Sequence, residues 1–133
     1  MLREWKAAEK PEEEELKKRL TAAREKLARQ QMLLKEKKVP VLVLMEGWGT
    51  AGKGSCIGEI IQNIDPRFFK VESMEKKTEE EERRPFLYRH FAKIPEAGKF
   101  VFLDSGWMGE LTGGYLQGEL SEKEYAKRIE SVQ

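Results

Sequence analysis

The stretch Val41-Leu-Val-Leu-Met-Glu-Gly-Trp-Gly-Thr-Ala-Gly-Lys-Gly54 decides the fold of this chain. Its first part extends the β-branched segment that begins at Val39, and its continuous apolar character is typical of a strand buried on both faces of a parallel sheet. The glycine-rich part, residues 47–53, has the form G-x-x-x-x-G-K. Four isoleucines then repeat at the spacing of one helical face: Ile57, Ile60, Ile61 and Ile64. Strand, glycine-rich loop and helix in this order predict a phosphate-binding loop of the Walker A type.

The glycines of this loop explain how it would hold phosphate. Small residues at positions 47, 49, 52 and 54 let successive backbone N–H groups turn toward phosphate oxygens, and the following helix adds the positive end of its dipole. Lys53 supplies a point charge for the bound phosphate. Gly54 stands where the usual loop has a Ser or Thr that holds Mg²⁺, and Ser55 comes one residue late. A standard ATPase or GTPase is therefore disfavoured, and a chance glycine-rich turn is the alternative that the flanking strand and helix argue against.

Two further strands follow the loop along the chain. Residues 69–74 alternate weakly between apolar and polar side chains, and residues 100–103 are fully apolar and end on Asp104. Strands that alternate with helices predict an α/β protein with a parallel sheet. A carboxylate that ends such a strand is where phosphate-loop enzymes hold their metal, so Asp104 is a candidate metal ligand. Its alternative role is to cap the next turn.

Two capping boxes predict further helices. Thr78 with Glu81 precedes an apolar helix side formed by Phe86, Leu87, His90, Phe91 and Ile94, which Pro85 should kink or divide. Ser121 with Glu124 begins a last helix, in which we expect the chain to stop at Gln133.

Several side chains in this middle region are candidates for the site. Arginines that could contact phosphates are Arg67, Arg83, Arg84 and Arg89, and each alone is more often a surface charge. His90, the only histidine, is expected to be a core or rim residue rather than a catalyst. Trp48 and Trp107 are expected to line the site.

Residues 1–38 form the first of two regions, and residues 39–133 the second. The first is charged and carries one leucine-rich stripe, which predicts a long amphipathic helix from about Pro11 to Glu36. We expect the helix to pack on its own domain, and pairing with a second copy is the alternative. The stripe consists of Leu16, Leu20, Ala23, Leu27 and Leu34.

Composition excludes several classes of function. Of the 133 residues, 37% are charged, but 25 Lys and Arg against 24 Asp and Glu leave a formal net charge of +1, so no basic field draws the chain to nucleic acid. Cys56 is the only cysteine, which excludes an internal disulfide and favours the reducing cytoplasm. The longest apolar run, residues 41–45, is far shorter than the roughly 20 residues that cross a bilayer.

Taken together, the motifs resemble the polyphosphate kinase 2 family. The similar segments are Glu46-Gly-Trp-Gly-Thr-Ala-Gly-Lys-Gly54, Asp65-Pro-Arg67, Thr78-Glu-Glu-Glu81, Tyr88-Arg89, Ile94-Pro-Glu-Ala-Gly98 and Asp104-Ser-Gly-Trp107. The Arg84-Pro85 pair and the Ser105-Gly-Trp107 ending are most similar to the polyphosphate:AMP phosphotransferase branch, and within it to the N-terminal half of two-domain members.

The resemblance implies a three-layer P-loop kinase-like sandwich, incomplete in this chain, after the N-terminal helix. It also implies Mg²⁺-dependent phosphoryl transfer between inorganic polyphosphate and AMP or ADP, and it leaves open a homo-oligomer formed through the N-terminal helix or a second domain. By family analogy Lys53, Asp104 and Arg89 are catalytic, and Asp104 holds the metal. The phosphate-binding set implied in the same way is Gly47, Gly49, Thr50, Ala51, Gly52, Lys53, Gly54, Ser55 and Arg67.

Three departures from the family pattern bear on activity. Gly49 stands where active members carry Asp, and Ser105 stands where they carry Arg. The family domain also continues beyond this point with further strands and a basic lid. We therefore expect this chain alone to be weak or inactive, and a non-catalytic phosphate-binding or assembly domain is the alternative. An unrelated nucleoside monophosphate kinase would leave the Thr-Glu-Glu-Glu and Asp-Ser-Gly-Trp segments without explanation.

Overall fold

Three parallel strands position every other element of the fold. The computed structural model describes residues 11–74 and 76–132, and in these residues β1 (Val41–Met45), β2 (Phe69–Ser73) and β3 (Phe100–Asp104) form a sheet in the order β1-β3-β2. The helices are α1 (Glu13–Glu36), α2 (Lys53–Ile61), α3 (Glu79–Glu82), α4 (Tyr88–Phe91), α5 (Trp107–Leu116) and α6 (Glu122–Glu130). None of these helices is both long and apolar enough to cross a lipid bilayer.

The strand register places all three carboxyl ends at one edge of the sheet. Met45 and Ser73 both pair with Asp104, and Val41 and Phe69 both pair with Phe100 at the other edge. The central strand is β3, and its Leu103 has no solvent exposure. The expectation that β1 is buried on both faces is wrong for the described residues, because β1 lies at the end of the sheet and is half-buried throughout.

The main core lies between the sheet and helices α1 and α2. Phe100 and Phe102 of β3 pack with Ile57 of α2 and with Ile64, which lies just beyond the end of that helix. The isoleucine pattern therefore predicts the buried face, although α2 ends three residues earlier than Ile64. Two leucines of α1, Leu27 and Leu34, pack against the same cluster.

Helix α1 joins this core through its second half. Gln31 is buried and exchanges two hydrogen bonds with the backbone of Asp65, donating to the carbonyl at 3.2 Å and accepting from the N–H at 2.8 Å. In the first half, Leu16 and Leu20 are exposed. The predicted packing on the domain is confirmed from Arg24 onward, since Arg24 also pairs with Glu59 of α2, and the first ten residues of the predicted N-terminal region lie outside the described residues.

One prediction for the second half of the chain is confirmed and two need correction. Pro85, which lacks a backbone N–H, divides the helix expected before β3 into two short helices, α3 and α4, as predicted. Phe91 and Ile94 of the predicted apolar side are exposed. The last helix ends at Glu130, whereas it is predicted to continue as far as Gln133.

Helix α5 is not predicted by the sequence pattern. Its three glycines lower helix propensity, yet Leu111 is fully buried and anchors the helix by tertiary packing. A Cβ at Gly114 would lie 3.2 Å from Leu120 Cδ1, so the glycine lets the segment before α6 pack closely against α5. Both capping boxes are present as predicted, at Thr78 with Glu81 and at Ser121 with Glu124.

Gly98 and Gly58 offer a matched test of this fold. Gly98 lies in the turn before β3 with φ +78°, and a Cβ there would lie 3.1 Å from the Lys35 carbonyl oxygen. We expect Gly98→Ala to lower the free energy of unfolding by about 1–2 kcal/mol. Gly58→Ala, inside α2 with open space around it, should raise it by about 0.5–1 kcal/mol. Urea denaturation followed by circular dichroism measures both, and effects of the same sign would contradict this account.

Candidate phosphate-binding site

The glycine-rich loop joins the carboxyl end of β1 to the N-terminus of α2. Gly52, the residue before α2, has φ +83°, a left-handed conformation that favours glycine. The Ala51 N–H donates to the Trp48 carbonyl at 3.0 Å, which closes a tight turn within the loop. Lys53, Gly54 and Ser55 form the first turn of α2, whose backbone N–H groups are the ones a helix leaves available for an anion.

Lys53 folds back over this loop. Its Nζ donates to the carbonyl oxygens of Gly47 at 3.1 Å and Trp48 at 3.2 Å, and it lies 3.9 Å from Asp104 Oδ1. The side chain is only 11% exposed. The structure therefore brings together Lys53 and Asp104, two candidate residues that lie about fifty positions apart in the sequence.

Asp104 suits a magnesium ion that is shared with phosphate. Its Oδ1 is buried and has no hydrogen-bond partner among the described residues, and its Oδ2 lies 3.8 Å from the position of a Cβ on Gly54. Mg²⁺ in phosphoryl-transfer sites takes one or two carboxylates together with substrate phosphate oxygens. In residues 11–74 and 76–132 no group of three or more His, Cys, Asp or Glu side chains is placed to hold a metal. A bound magnesium would therefore depend on phosphate oxygens for its remaining ligands.

A cavity of about 700 Å³ opens beside the loop and runs along α5. Trp48, which is 72% exposed, and Gly49 stand at the loop end of it. A Cβ at Gly49 would meet no atom within 4 Å, so a longer side chain fits there without displacement. The expectation that Trp107 lines the cavity is wrong, because its ring packs edge-on against His90, with 5.8 Å between the ring centroids.

The charged side chains that line this cavity are balanced in number. Three carry positive charge and three carry negative charge, so the cavity lacks the strong positive field of a polyanion channel. The first group is Lys53, Lys76 and Arg89, and the second is Glu46, Glu110 and Glu119.

Arg89 reaches the cavity from α4 within a network of carboxylates. It is 8% exposed, and its guanidinium lies 3.8 Å from Glu81 Oε1 and 3.9 Å from Glu110 Oε2. Glu110 also lies 2.5 Å from Lys77 Nζ and 3.4 Å from Nε2 of the buried His90. His90 is thus a core residue, as expected. Burial raises the pKa of Glu110, but the close His90 and Lys77 side chains lower it by more than burial raises it, to about 2.

The structure does not bring Arg67 to this site. Arg67 lies just before β2, at the amino edge of the sheet, whereas the loop and Asp104 lie at the carboxyl edge. Its guanidinium pairs with Asp65 at 2.7 Å, and the hydrogen bonds of this pair lower the pKa of Asp65 to about 2. Arg84 is exposed and pairs with Glu80, and neither it nor Arg83 lines the cavity.

Sequence reasoning missed two carboxylates of the site. Glu46 lies directly before the loop, and an acidic residue that follows an apolar strand at this point is a signal that the sequence contains. Glu110 carries no such signal, because its placement depends on α5, which the glycines conceal.

The fold and site define a P-loop kinase-like α/β protein. A glycine-rich loop follows one strand, and a carboxylate ends the neighbouring parallel strand beside the loop lysine. Residues 10–133 match the family model described as Polyphosphate kinase 2, and the chain belongs to that family.

Curated relatives and solved structures agree with this assignment. An ADP-polyphosphate phosphotransferase 3 of Rhizobium meliloti is 30% identical over 112 residues, which are 84% of this chain and 39% of the relative. A polyphosphate:AMP phosphotransferase of Pseudomonas syringae pv. tomato is 28% identical over 92 residues, 69% of this chain and 18% of the relative. The chain thus spans well under half the length of these relatives.

Two solved structures share the fold. The polyphosphate kinase 2 of Arthrobacter aurescens TC1 has a TM-score of 0.79 at 24% identity, over 85% of this chain and 42% of that one. A structure from Pseudomonas aeruginosa PA01 has a TM-score of 0.87 at 24% identity, over 99% of this chain and 28% of that one.

The depressed pKa of Glu110 predicts how stability depends on pH. Its pKa falls from 4.5 to about 2 on folding, so the ionised carboxylate stabilises the fold above pH 4.5, and this contribution is lost as the pH falls toward 2. We expect Glu110→Gln to lose less stability over this range than the wild type. Urea midpoints at several pH values measure the difference, with the exposed Glu36→Gln variant as control. Parallel curves for Glu110→Gln and wild type would contradict the prediction.

Proposed function

We propose that this chain binds inorganic polyphosphate at residues 47–55 as part of a Mg²⁺-dependent phosphotransferase that acts on AMP or ADP. The observation that carries the proposal is the placement of Lys53 Nζ inside the loop and 3.9 Å from the Asp104 carboxylate, at the carboxyl edge of the sheet. Family membership supports it, since curated relatives are named for transfer between polyphosphate and AMP, ADP or other nucleoside diphosphates.

Each part of the site has a task in this reaction. The loop N–H groups and Lys53 bind and orient the phosphate chain, and Asp104 holds magnesium together with phosphate oxygens. When bound, the magnesium neutralises charge on the transferring phosphoryl group. Arg89 faces the same cavity and contributes a second positive charge, which Glu81 and Glu110 hold in place. Arg67 is left out of this proposal, because it lies at the opposite edge of the sheet.

The cavity favours binding over rapid turnover. Gly49 and Ser105 both line it, and they replace the Asp and Arg that the family pattern expects. The balanced charge of the cavity removes the positive field that would stabilise a transition state rich in negative charge. A non-catalytic phosphate-binding or assembly role is therefore the second candidate function.

The first experiment tests the phosphate loop. Lys53→Ala removes a charge-assisted contact to phosphate, and we expect the affinity for tripolyphosphate with Mg²⁺ to fall by about tenfold or more. Isothermal titration calorimetry of the wild type and the variant measures this. Lys123→Ala, on the exposed side of α6, controls for the loss of one positive charge. Equal affinities for wild type and Lys53→Ala would contradict phosphate binding by the loop.

The second experiment separates the two candidate functions. Gly49→Asp places a carboxylate in open space beside the loop, and we expect it to raise polyphosphate-dependent formation of ADP from AMP by about tenfold or more. Gly49→Asn, of the same shape without charge, is the control and should leave the rate unchanged. ADP is quantified by chromatography. If tripolyphosphate binds but neither variant forms ADP above the wild type, the non-catalytic role is favoured.

A further inference from the structure

We propose that Glu46 is a positioning residue, which fixes the turn that carries Asp104 by placing its carboxylate on the N-terminus of α5. The contact itself is a feature of the fold. Its consequence for magnesium rests on the proposed function.

The Glu46 carboxylate makes two hydrogen bonds across the carboxyl edge of the sheet. Its Oε1 accepts the Met108 N–H at 3.2 Å, and its Oε2 accepts the Gly109 N–H at 3.0 Å. Gly106, the residue before α5, has no side chain that could cap the helix. Glu46 therefore supplies the cap from the end of β1, and its negative charge meets the positive end of the helix dipole.

The glycines at the start of α5 are fitted to this carboxylate. A Cβ on Gly106 would lie 2.5 Å from Glu46 Oε1, and a Cβ on Gly109 would lie 3.1 Å from Oε2. The first distance is shorter than any stable contact between these atoms. Two glycines that weaken the helix by propensity thus provide the space that its cap requires.

The turn held in this way is strained. Ser105, between Asp104 and Gly106, has φ +83°, a left-handed conformation that is unfavourable for a serine. Its N–H donates to the Met45 carbonyl at 3.1 Å. Neighbouring residues at the end of β1, Met45 and Glu46, thus hold both sides of the strained residue. Because Asp104 directly precedes it, the direction of the Asp104 carboxylate depends on this clamp.

Glu46 also determines which helix is open to phosphate. The N-termini of α2 and α5 both lie at the carboxyl edge of the sheet, and both are long enough to attract an anion. The α5 end is filled by a carboxylate of the chain itself. Phosphate is therefore directed to α2 and the loop, beside Lys53.

The contact is tested by amide hydrogen exchange of the full chain. In Glu46→Ala we expect faster exchange of the Ser105, Met108 and Gly109 amides, with α6 amides unchanged. Glu46→Gln, which keeps an acceptor oxygen, should give an intermediate effect, and the exposed Glu36→Ala variant should give none. Unchanged exchange of the Met108 and Gly109 amides in Glu46→Ala would overturn the proposal.

The functional consequence is tested by the magnesium dependence of tripolyphosphate binding. In Glu46→Ala we expect the gain in affinity produced by Mg²⁺ to fall about tenfold, as for other residues that orient a metal ligand. Affinity without Mg²⁺, which depends on Lys53 and the loop, should change less than about twofold on the same grounds. Equal losses with and without Mg²⁺ would indicate a merely structural role and overturn the positioning. If the wild type binds no tripolyphosphate, the proposed function fails, and the exchange of the three amides alone decides the role of Glu46.

A double-mutant cycle between Glu46 and Gly106 gives a second measurement of the contact, made at a temperature at which Glu46→Ala is folded. Gly106→Ala should destabilise the wild type, because its Cβ meets Glu46 Oε1, and should destabilise Glu46→Ala less. The coupling is read from urea unfolding of the four proteins. Additive effects would show that the two residues do not meet, and would overturn the proposal.

Discussion

Parallel pairing of β3 between β1 and β2 is the constraint on which the site depends. Because all three strands run in one direction, the loop after β1 and the carboxylate that ends β3 meet at the same edge. Helices α2 and α5 begin at that edge, so their N-terminal N–H groups point to the same region of space. No side chain of the candidate site lies on β2 itself, so the pair β1 and β3 carries the segments that form this site.

Most charged groups at this edge face a partner of opposite charge, and neither sign of charge is in excess. Lys53 is held by two carbonyls and a carboxylate, Arg89 lies between two glutamates, and the α5 dipole is met by Glu46. Such pairing fixes the side chains in place, and it also weakens the positive electrostatic field that an anion would meet in the cavity. An anion that binds here would compete with internal partners, and a divalent cation that accompanies it would shift the balance toward binding.

Local patterns predict the parts of the site that depend on local structure. The apolar strand, the glycine loop and the isoleucine face predict β1 and α2, and the apolar run that ends on Asp104 predicts β3. Helix α5 escaped prediction because the packing of Leu111 outweighs glycine propensity, which a single segment does not reveal. Arg67 was predicted to bind phosphate, although it precedes β2. The direction of a parallel strand already places such a residue at the amino edge of the sheet, away from the loop. The links among Arg89, Glu81 and Glu110 join separate segments and have no local pattern.

The long helix α1 packs on the rest of the protein along only part of its length. Its 24 residues extend about 36 Å, whereas a five-residue strand extends about 16 Å, so the helix is more than twice as long as the strands of the sheet. The part from Arg24 onward is fixed by Leu27, Gln31 and Leu34 and by the pairing of Arg24 with Glu59 of α2. The part before Arg24 relies on surface pairs such as Glu13 with Lys17. Such pairs contribute little to stability, so the helix can unwind from its start without disturbing the core. A protease that cuts before Arg24 would therefore leave the glycine-rich loop and the contacts of Glu46 intact.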